Sequence, residues 1–267
     1  MEIKTYYIPQ NLDDALEKFN QGSGNCLLGG GAWIKNTLHK IDTAIELSNL
    51  VSNEIKDAKN HIEIGAMTSL SDLVTNPLVN QIYDGILSKA AASIMGVALR
   101  NVATIGGSIV GKYAFSDLLT SLLAMDCLLV FHHQGEMKLS EYLDQTTRVK
   151  DILLKVIIDK VPAKGYFHKV ARTSLDFSIL NVAIIRHQFN FRICVGARPG
   201  IATCALKASD YLNHSKAIDS EIIRSAAKIA CEELAFSSNF RAKADYRKLV
   251  CDTYISRGLM EVMEDEC

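Results

Sequence analysis

Two glycine-rich stretches constrain this chain more than any other feature. Residues 27–34 read LLGGGAWI, and residues 99–111 read LRNVATIGGSIVG. Glycine weakens a strand interior, so adjacent glycines among β-branched residues mark a bulge, a tight turn or a close approach of backbone to another group. The residues around Gly106 and Gly107 read as strand-like, and CLLGGG reads as a short buried strand ending in a turn. Backbone without side chains can aim several N–H groups at one anion, and phosphate is the usual one. Two such turns from distant segments suit a pyrophosphate gripped from both sides. On local sequence alone, two tight turns that let the chain double back are the favoured reading. Neither is a P-loop, because no Lys-Ser or Lys-Thr follows, and neither carries GxGxxG.

The 267 residues allow one large domain or two moderate ones. Lys and Arg number 29 against 30 Asp and Glu, with no basic run, which argues against nucleic acid or an anionic membrane as partner. The first ten residues lack a basic-then-apolar signal pattern. The longest apolar stretch, LLTSLLAMDCLLVF, is broken by Asp126 and is too short to cross a bilayer, so a soluble, cytoplasmic protein is expected. Seven cysteines, at 26, 127, 194, 204, 231, 251 and 267, mostly sit in apolar runs without CxxC spacing and read as core residues. Any iron–sulfur cluster would belong to another chain. His61, His168 and the pair His132 and His133 have no ligand partner at helical spacing, and no metal site is expected.

Along the chain, NLDDALEKFNQ has helical spacing with Asn11 or Asp13 as cap, and TAIELSNL and HIEIGAM alternate as strands. Residues 69–94 contain two helices divided near Pro77. A helix, SDLLTSLLAMD, runs into the strand CLLVFHH, and DILLKVIID is a further strand. The first good break is Pro162–Gly165. Three strands follow, GYFHKVAR, SILNVAIIRHQF and FRICVGAR, and two amphipathic helices fill much of 218–265. Strands followed by helices suggest an antiparallel sheet with helices on one face. The expected organisation is α+β: a domain over 1–165, with subdomains of about 1–55 and 56–165, then a smaller domain over 166–267 with a three-stranded antiparallel sheet and a helix bundle.

LRNVATIGGSIV followed by FSDLLTSLLAMDCLLVF resembles the second flavin-binding segment of the FAD subunits of the molybdenum hydroxylase family, the medium subunits of the xanthine dehydrogenase and carbon monoxide dehydrogenase type. The family form is close to R-N-x-A-T-I-G-G-N-I, then S-D. Arg100, Asn101, Ala103, Thr104, Ile105, Gly106, Gly107, Ile109, Ser116 and Asp117 match it. In the same order, LLGGGAWI resembles the first flavin loop and IEIGAMTSLSDL the I-G-A-x-T strand and turn. DILLKVIID, FHKVARTSLDFSILNVA and SSNFRAKADYRKLV resemble the family's later landmarks. The resemblance covers essentially the whole chain.

The resemblance implies a two-subdomain FAD-binding domain of the vanillyl-alcohol-oxidase-like (PCMH) type. It implies that Leu27, Leu28, Gly29, Gly30, Gly31, Ala32, Trp33 and Ile34 wrap the diphosphate and flavin side. Thr104, Gly106, Gly107 and Ser108 would close the other side with backbone donors and a hydroxyl. Asp117 would accept from a ribose or ribityl hydroxyl, Ile94 and Leu153 would line the ring pockets, and Lys169 would stabilise anionic reduced flavin. No catalytic side chain is implied. Ala32 and Trp33 depart from the usual G-G-T-D, losing a hydroxyl and a carboxylate, and Ser108 replaces Asn. The implied function is an FAD electron-transfer subunit, working with a large molybdopterin subunit and a small 2Fe–2S subunit and passing electrons to NAD or another acceptor. An assembly subunit that has lost FAD and a stand-alone flavin oxidase are the alternatives. Without the resemblance, Asp117 reads as a helix cap, and Tyr246 and Arg247 as residues that hold the C-terminal helix or a subunit contact.

Overall fold

The computed structural model describes residues 2–36, 40–147 and 149–264. Cys267 lies outside them. The elements are β1 (Glu2–Tyr7), α1 (Leu12–Asn20), β2 (Asn25–Leu28), β3 (Lys40–Glu46), β4 (Ile55–Asp57), β5 (His61–Gly65), α2 (Leu70–Thr75), α3 (Pro77–Gln81), α4 (Ile86–Ala92), α5 (Val97–Arg100), α6 (Ile105–Val110) and α7 (Asp117–Ala124). They continue with β6 (Leu128–Phe131), β7 (Gly135–Lys138), α8 (Leu139–Asp144), β8 (Leu153–Asp159), β9 (Lys164–Val170), β10 (Leu180–His187), β11 (Asn190–Gly196), β12 (Thr203–Cys204), α9 (Leu206–Asn213), α10 (Ser220–Glu233) and α11 (Ala244–Met263). They form two compact units. One holds Met1–Leu73, Gly96–Gly111 and Cys127–Asp159; the other holds Val74–Met95, Lys112–Asp126 and Lys160–Cys267.

The first unit carries a parallel sheet, in the order β1-β3-β2, and a five-stranded antiparallel sheet, in the order β4-β5-β8-β6-β7. Helix α1 starts where the Asn11 side chain accepts from Asp14 N at 2.9 Å, and it buries Ala15, Leu16 and Phe19. Strand β8 is central because Val156 and Ile158 are fully buried beside Ile62, Ile64 and Leu129.

In the second unit, β9, β10 and β11 form the expected antiparallel sheet, and the two-residue strand β12 extends it to four strands. Leu180, Val182, Ile184, Ile193 and Val195 face α9, α10 and α11, whose Ala226, Ala230, Cys251, Ile255 and Leu259 complete the core. The expectation of helices on one face alone is corrected. Alternate residues of β10 meet α7: Thr120 Oγ1 donates to Asn181 Oδ1 at 2.6 Å. Every residue of α7 is buried. The physical reason is legible afterwards, since LNVAII buries both faces of β10 where a one-sided sheet would alternate. Pro77 opens α3, capped by Asn76, and a further helix, α4, follows a left-handed turn at Tyr83, Asp84 and Gly85.

His168 on β9 stacks on Tyr254 of α11, ring centroids 3.9 Å apart. Burial, then the nearby Arg257, holds its imidazole below the ordinary value. A histidine whose folded-state pKa is depressed stays neutral while the unfolded chain takes up a proton. Stability is therefore lost as pH falls through the unfolded value of about 6.5. Urea midpoints taken at neutral pH and about one unit below 6.5 should fall less for His168→Gln than for the parent. An equal fall in both would remove His168 from the acid response.

Candidate functional site

The TIGG segment is not a strand. Thr104 is the N-cap of α6, accepting from Gly107 N at 3.1 Å through Oγ1, and residues 105–110 are helical. The β-branched run gives way because Ile105 N donates to Thr68 O at 3.0 Å and Gly106 N to Ala66 O at 2.9 Å, which docks the start of α6 on the segment after β5. Thr104 also forms an isolated antiparallel bridge with Ser69.

The glycines then explain themselves by packing. A Cβ on Gly30 would lie 1.3 Å from the Val102 carbonyl oxygen, and one on Gly29 2.9 Å from Thr104 Oγ1. On Gly106 it would meet Ala66 O at 2.7 Å. The two glycine turns close around each other, inside one compact unit. Gly31 has φ +63° and open space around its Cβ position, so its requirement is conformational.

The two glycine segments differ in how their donors are used within the protein. The N–H groups of Ile105, Gly106 and Gly107 are consumed by Thr68 O, Ala66 O and Thr104 Oγ1. The Ser108 hydroxyl donates to Thr104 O at 2.9 Å. What stays available on this side is the Thr104 hydroxyl proton. On the other side, no acceptor among the described residues engages the N–H groups of Gly30, Gly31 and Ala32.

Gly30, Val102 and Thr104 border an open cleft of about 490 Å³, whose other walls include Asn53, Ser69, Ser71, Asp72 and Asn101. Asp72 accepts from the N and Oγ of Ser69, and Ser71 Oγ donates to Asn101 Oδ1. Among the described residues no Lys or Arg borders this cleft, so an anion there is held by neutral donors. Asn53, Ser69, Ser71 and Asp72 were not singled out from the sequence, although IGAMTSLSDL, which contains the last three, was recognisable as a segment. Leu27 and Leu28 are half-buried in β2, Ala32 is buried, and Trp33 and Ile34 are half-buried beyond the turn. Leu153, 5% exposed in β8, is core and does not border the cleft.

In the second unit, Ile94, Asp117 and Lys169 lie in one neighbourhood. Asp117 is 3% exposed. Its Oδ1 accepts from Ser178 Oγ and from Asn181 Nδ2 at 2.6 Å, and its Oδ2 accepts from Ser93 Oγ at 3.3 Å and faces Lys169 Nζ at 3.5 Å. Those four protein partners surround both oxygens of the carboxylate. Burial pushes the Asp117 carboxyl up, against Lys169, Ser178 and Asn181. It is not the cap of α7; Ser116 is, accepting from Leu119 N at 3.2 Å. Lys169 Nζ also donates to Ser93 O at 2.8 Å, which ties β9 to the turn carrying half-buried Ile94.

Comparison with known proteins gives this arrangement its class. Residues 1–164 match the family described as the FAD binding domain in molybdopterin dehydrogenase, and residues 165–262 the CO dehydrogenase flavoprotein C-terminal domain. The chain belongs to the FAD-binding subunits of the molybdenum hydroxylase family, oxidoreductase flavoproteins whose cofactor is FAD. It is 23% identical to the glyceraldehyde dehydrogenase medium chain of Sulfolobus acidocaldarius, over 97% of this chain and 98% of that one. It is 25% identical to the nicotinate dehydrogenase FAD-subunit of Eubacterium barkeri, over 66% of each. Carbon monoxide dehydrogenase from Hydrogenophaga pseudoflava shares the fold, with TM-score 0.88 at 20% identity, covering 98% of this chain and 97% of that one. Among the described residues no helix is long and apolar enough to cross a membrane.

The geometry fits the cofactor. The unengaged N–H groups of Gly30, Gly31 and Ala32 lie on a turn packed through Gly30 against the Val102 carbonyl, and Gly30 and Thr104 border the same cleft, a donor set that suits a diphosphate.

Proposed function

We propose that this chain is the FAD-carrying electron-transfer subunit of a xanthine dehydrogenase-like complex, with a large molybdopterin subunit and a small 2Fe–2S subunit as partners. Support for the purine-oxidising type comes from a relative called a putative xanthine dehydrogenase FAD-binding subunit in Escherichia coli K12, 23% identical over 98% of this chain and 97% of that one. Bound FAD supplies a carrier between one-electron iron–sulfur donors and a two-electron acceptor such as NAD.

The chain's own task is to bind and orient. Gly30, Gly31 and Ala32 donate backbone N–H groups to the diphosphate, and Thr104 donates its hydroxyl proton from the opposite side. Gly29, Gly106 and Gly107 set the spacing between the two loops, and Asn101 donates at the cleft's edge. Leu27, Leu28, Trp33 and Ile34 frame the first loop. In the second unit Lys169 donates to the Ser93 carbonyl and faces Asp117, and the family resemblance would make it the residue that favours an anionic reduced ring. Leu153 and Ser108 support β8 and α6. The observation that carries this reading is the set of unengaged N–H groups at a turn closed against Thr104.

The test is an absorbance titration of the purified chain with FAD. Flavin bands with altered fine structure at saturation are expected, and Thr104→Val should weaken binding about tenfold or more, since a hydrogen bond to a charged group contributes about 1.5–3 kcal/mol. No spectral change at excess FAD would overturn the reading and favour an assembly subunit.

A further inference from the structure

We infer that Asp13, His132 and His133 form a binding site for a borderline divalent cation of the Zn²⁺ class, on the surface of the first unit. His132 Nε2 lies 2.7 Å and His133 Nε2 3.0 Å from the same Asp13 oxygen, Oδ1. All three ligand atoms fall within 4.8 Å of one another. Metal–ligand bonds of about 2.0–2.2 Å in a tetrahedron put ligand atoms roughly 3.3–3.5 Å apart, a spacing that small side-chain rotations reach here. Two imidazoles and one carboxylate select a borderline ion over hard Ca²⁺ or a thiophilic metal, and leave the remaining position to water.

The site is built rather than casual. The two histidines sit in the turn between β6 and β7, and that turn is locked from below. Asp151, 5% exposed, accepts from His133 N at 3.0 Å and Gln134 N at 2.8 Å through Oδ2, and His132 N donates to Ile152 O at 2.9 Å. The ring centroids are 4.4 Å apart, and both Nε2 atoms reach the same Asp13 oxygen. Asp13 comes from the first turn of α1, well over 100 residues away in sequence, which is why spacing along the chain shows no ligand set. A bound ion would clip α1 to the β6–β7 turn and so stabilise the folded chain by mass action.

The probe is Co²⁺, titrated into the full-length protein with any affinity tag removed, and displaced by Zn²⁺. One equivalent with d–d bands and no thiolate charge-transfer absorption is expected, and Zn²⁺ should raise the thermal midpoint. Asp13→Asn and His133→Ala both change largely exposed side chains, so each should keep the parent circular dichroism while losing at least tenfold in Co²⁺ affinity and the Zn²⁺-induced thermal shift. Absence of saturable binding overturns the proposal. So does a thiolate band, which would move the ion to a cysteine pair, or affinity unchanged in both variants.

Discussion

Gly30→Ala is expected to abolish FAD binding in the absorbance titration, weakening it by at least about 100-fold. The new Cβ would stand 1.3 Å from the Val102 carbonyl oxygen and 2.5 Å from its carbonyl carbon. Both are backbone atoms, so no side-chain rotation relieves the clash and the turn must lift away from α5 and α6. The turn carries the N–H groups of Gly30, Gly31 and Ala32, and separation removes them from the Thr104 hydroxyl at the same time. Four hydrogen bonds to a charged group at about 1.5 kcal/mol or more each make a loss of 100-fold a lower bound, since two of them suffice for it. The contrasting variant is Gly31→Ala. Its Cβ meets nothing within 4 Å, and it suffers only the left-handed φ of +63°, a cost of about 1 kcal/mol. Gly31→Ala should therefore keep measurable FAD binding. Equal affinity in Gly30→Ala and the parent would show that the turn does not hold the diphosphate.

Arg247→Met should produce the largest loss of stability among single changes in the second unit, about 3 kcal/mol or more by urea unfolding. Arg247 is 1% exposed on α11. Its guanidinium donates to Ile179 O, to Ala197 O at 2.5 Å and to Asn239 Oδ1 at 2.6 Å. One side chain thus ties the entrance of β10, the exit of β11 and the loop before α11. No carboxylate pairs with it in those contacts; burial first, then Arg241, holds its pKa below the usual value. Methionine fills much of the volume but takes the guanidinium donor from the two buried carbonyls of Ile179 and Ala197, at about 1–3 kcal/mol each before water enters, while the exposed Asn239 Oδ1 keeps the N–H groups of Arg241 and Ala242. Arg247→Lys keeps a charge and fewer donors, and should fall between the two. A midpoint within error of the parent for Arg247→Met would show that these hydrogen bonds contribute nothing net. Of the two neighbours read together from the sequence, only Arg247 is buried in this way; Tyr246 is 47% exposed.

Much of this protein is local and was legible. The acidic first turn and apolar face of α1, the break before α3 at Pro77, the strands β5, β8 and β9–β11, and the last two helices follow from periodicity and punctuation over fewer than twenty residues. The FAD assignment was legible as well, because the residues around Gly106 form a long specific motif. What failed were readings that depend on partners far away in sequence. VATIGGSIV has the composition of a strand, yet the Thr68 and Ala66 carbonyls take the N–H groups of Ile105 and Gly106 and set the start of a helix there. Asp117 reads locally as a helix cap, yet Ser116 caps α7 and Asp117 takes Ser178 and Asn181, more than sixty residues on, as partners.

By itself, then, the sequence determined most of the helical and extended segments and which cofactor the chain is built for. Those depend on backbone preference, on side-chain period and on a motif contiguous in the chain. Only the tertiary structure decided which N–H groups of the two glycine segments meet a protein acceptor and which do not. A hydrogen-bond donor serves one acceptor at a time, and which acceptor it meets is settled by segments that the linear order keeps apart.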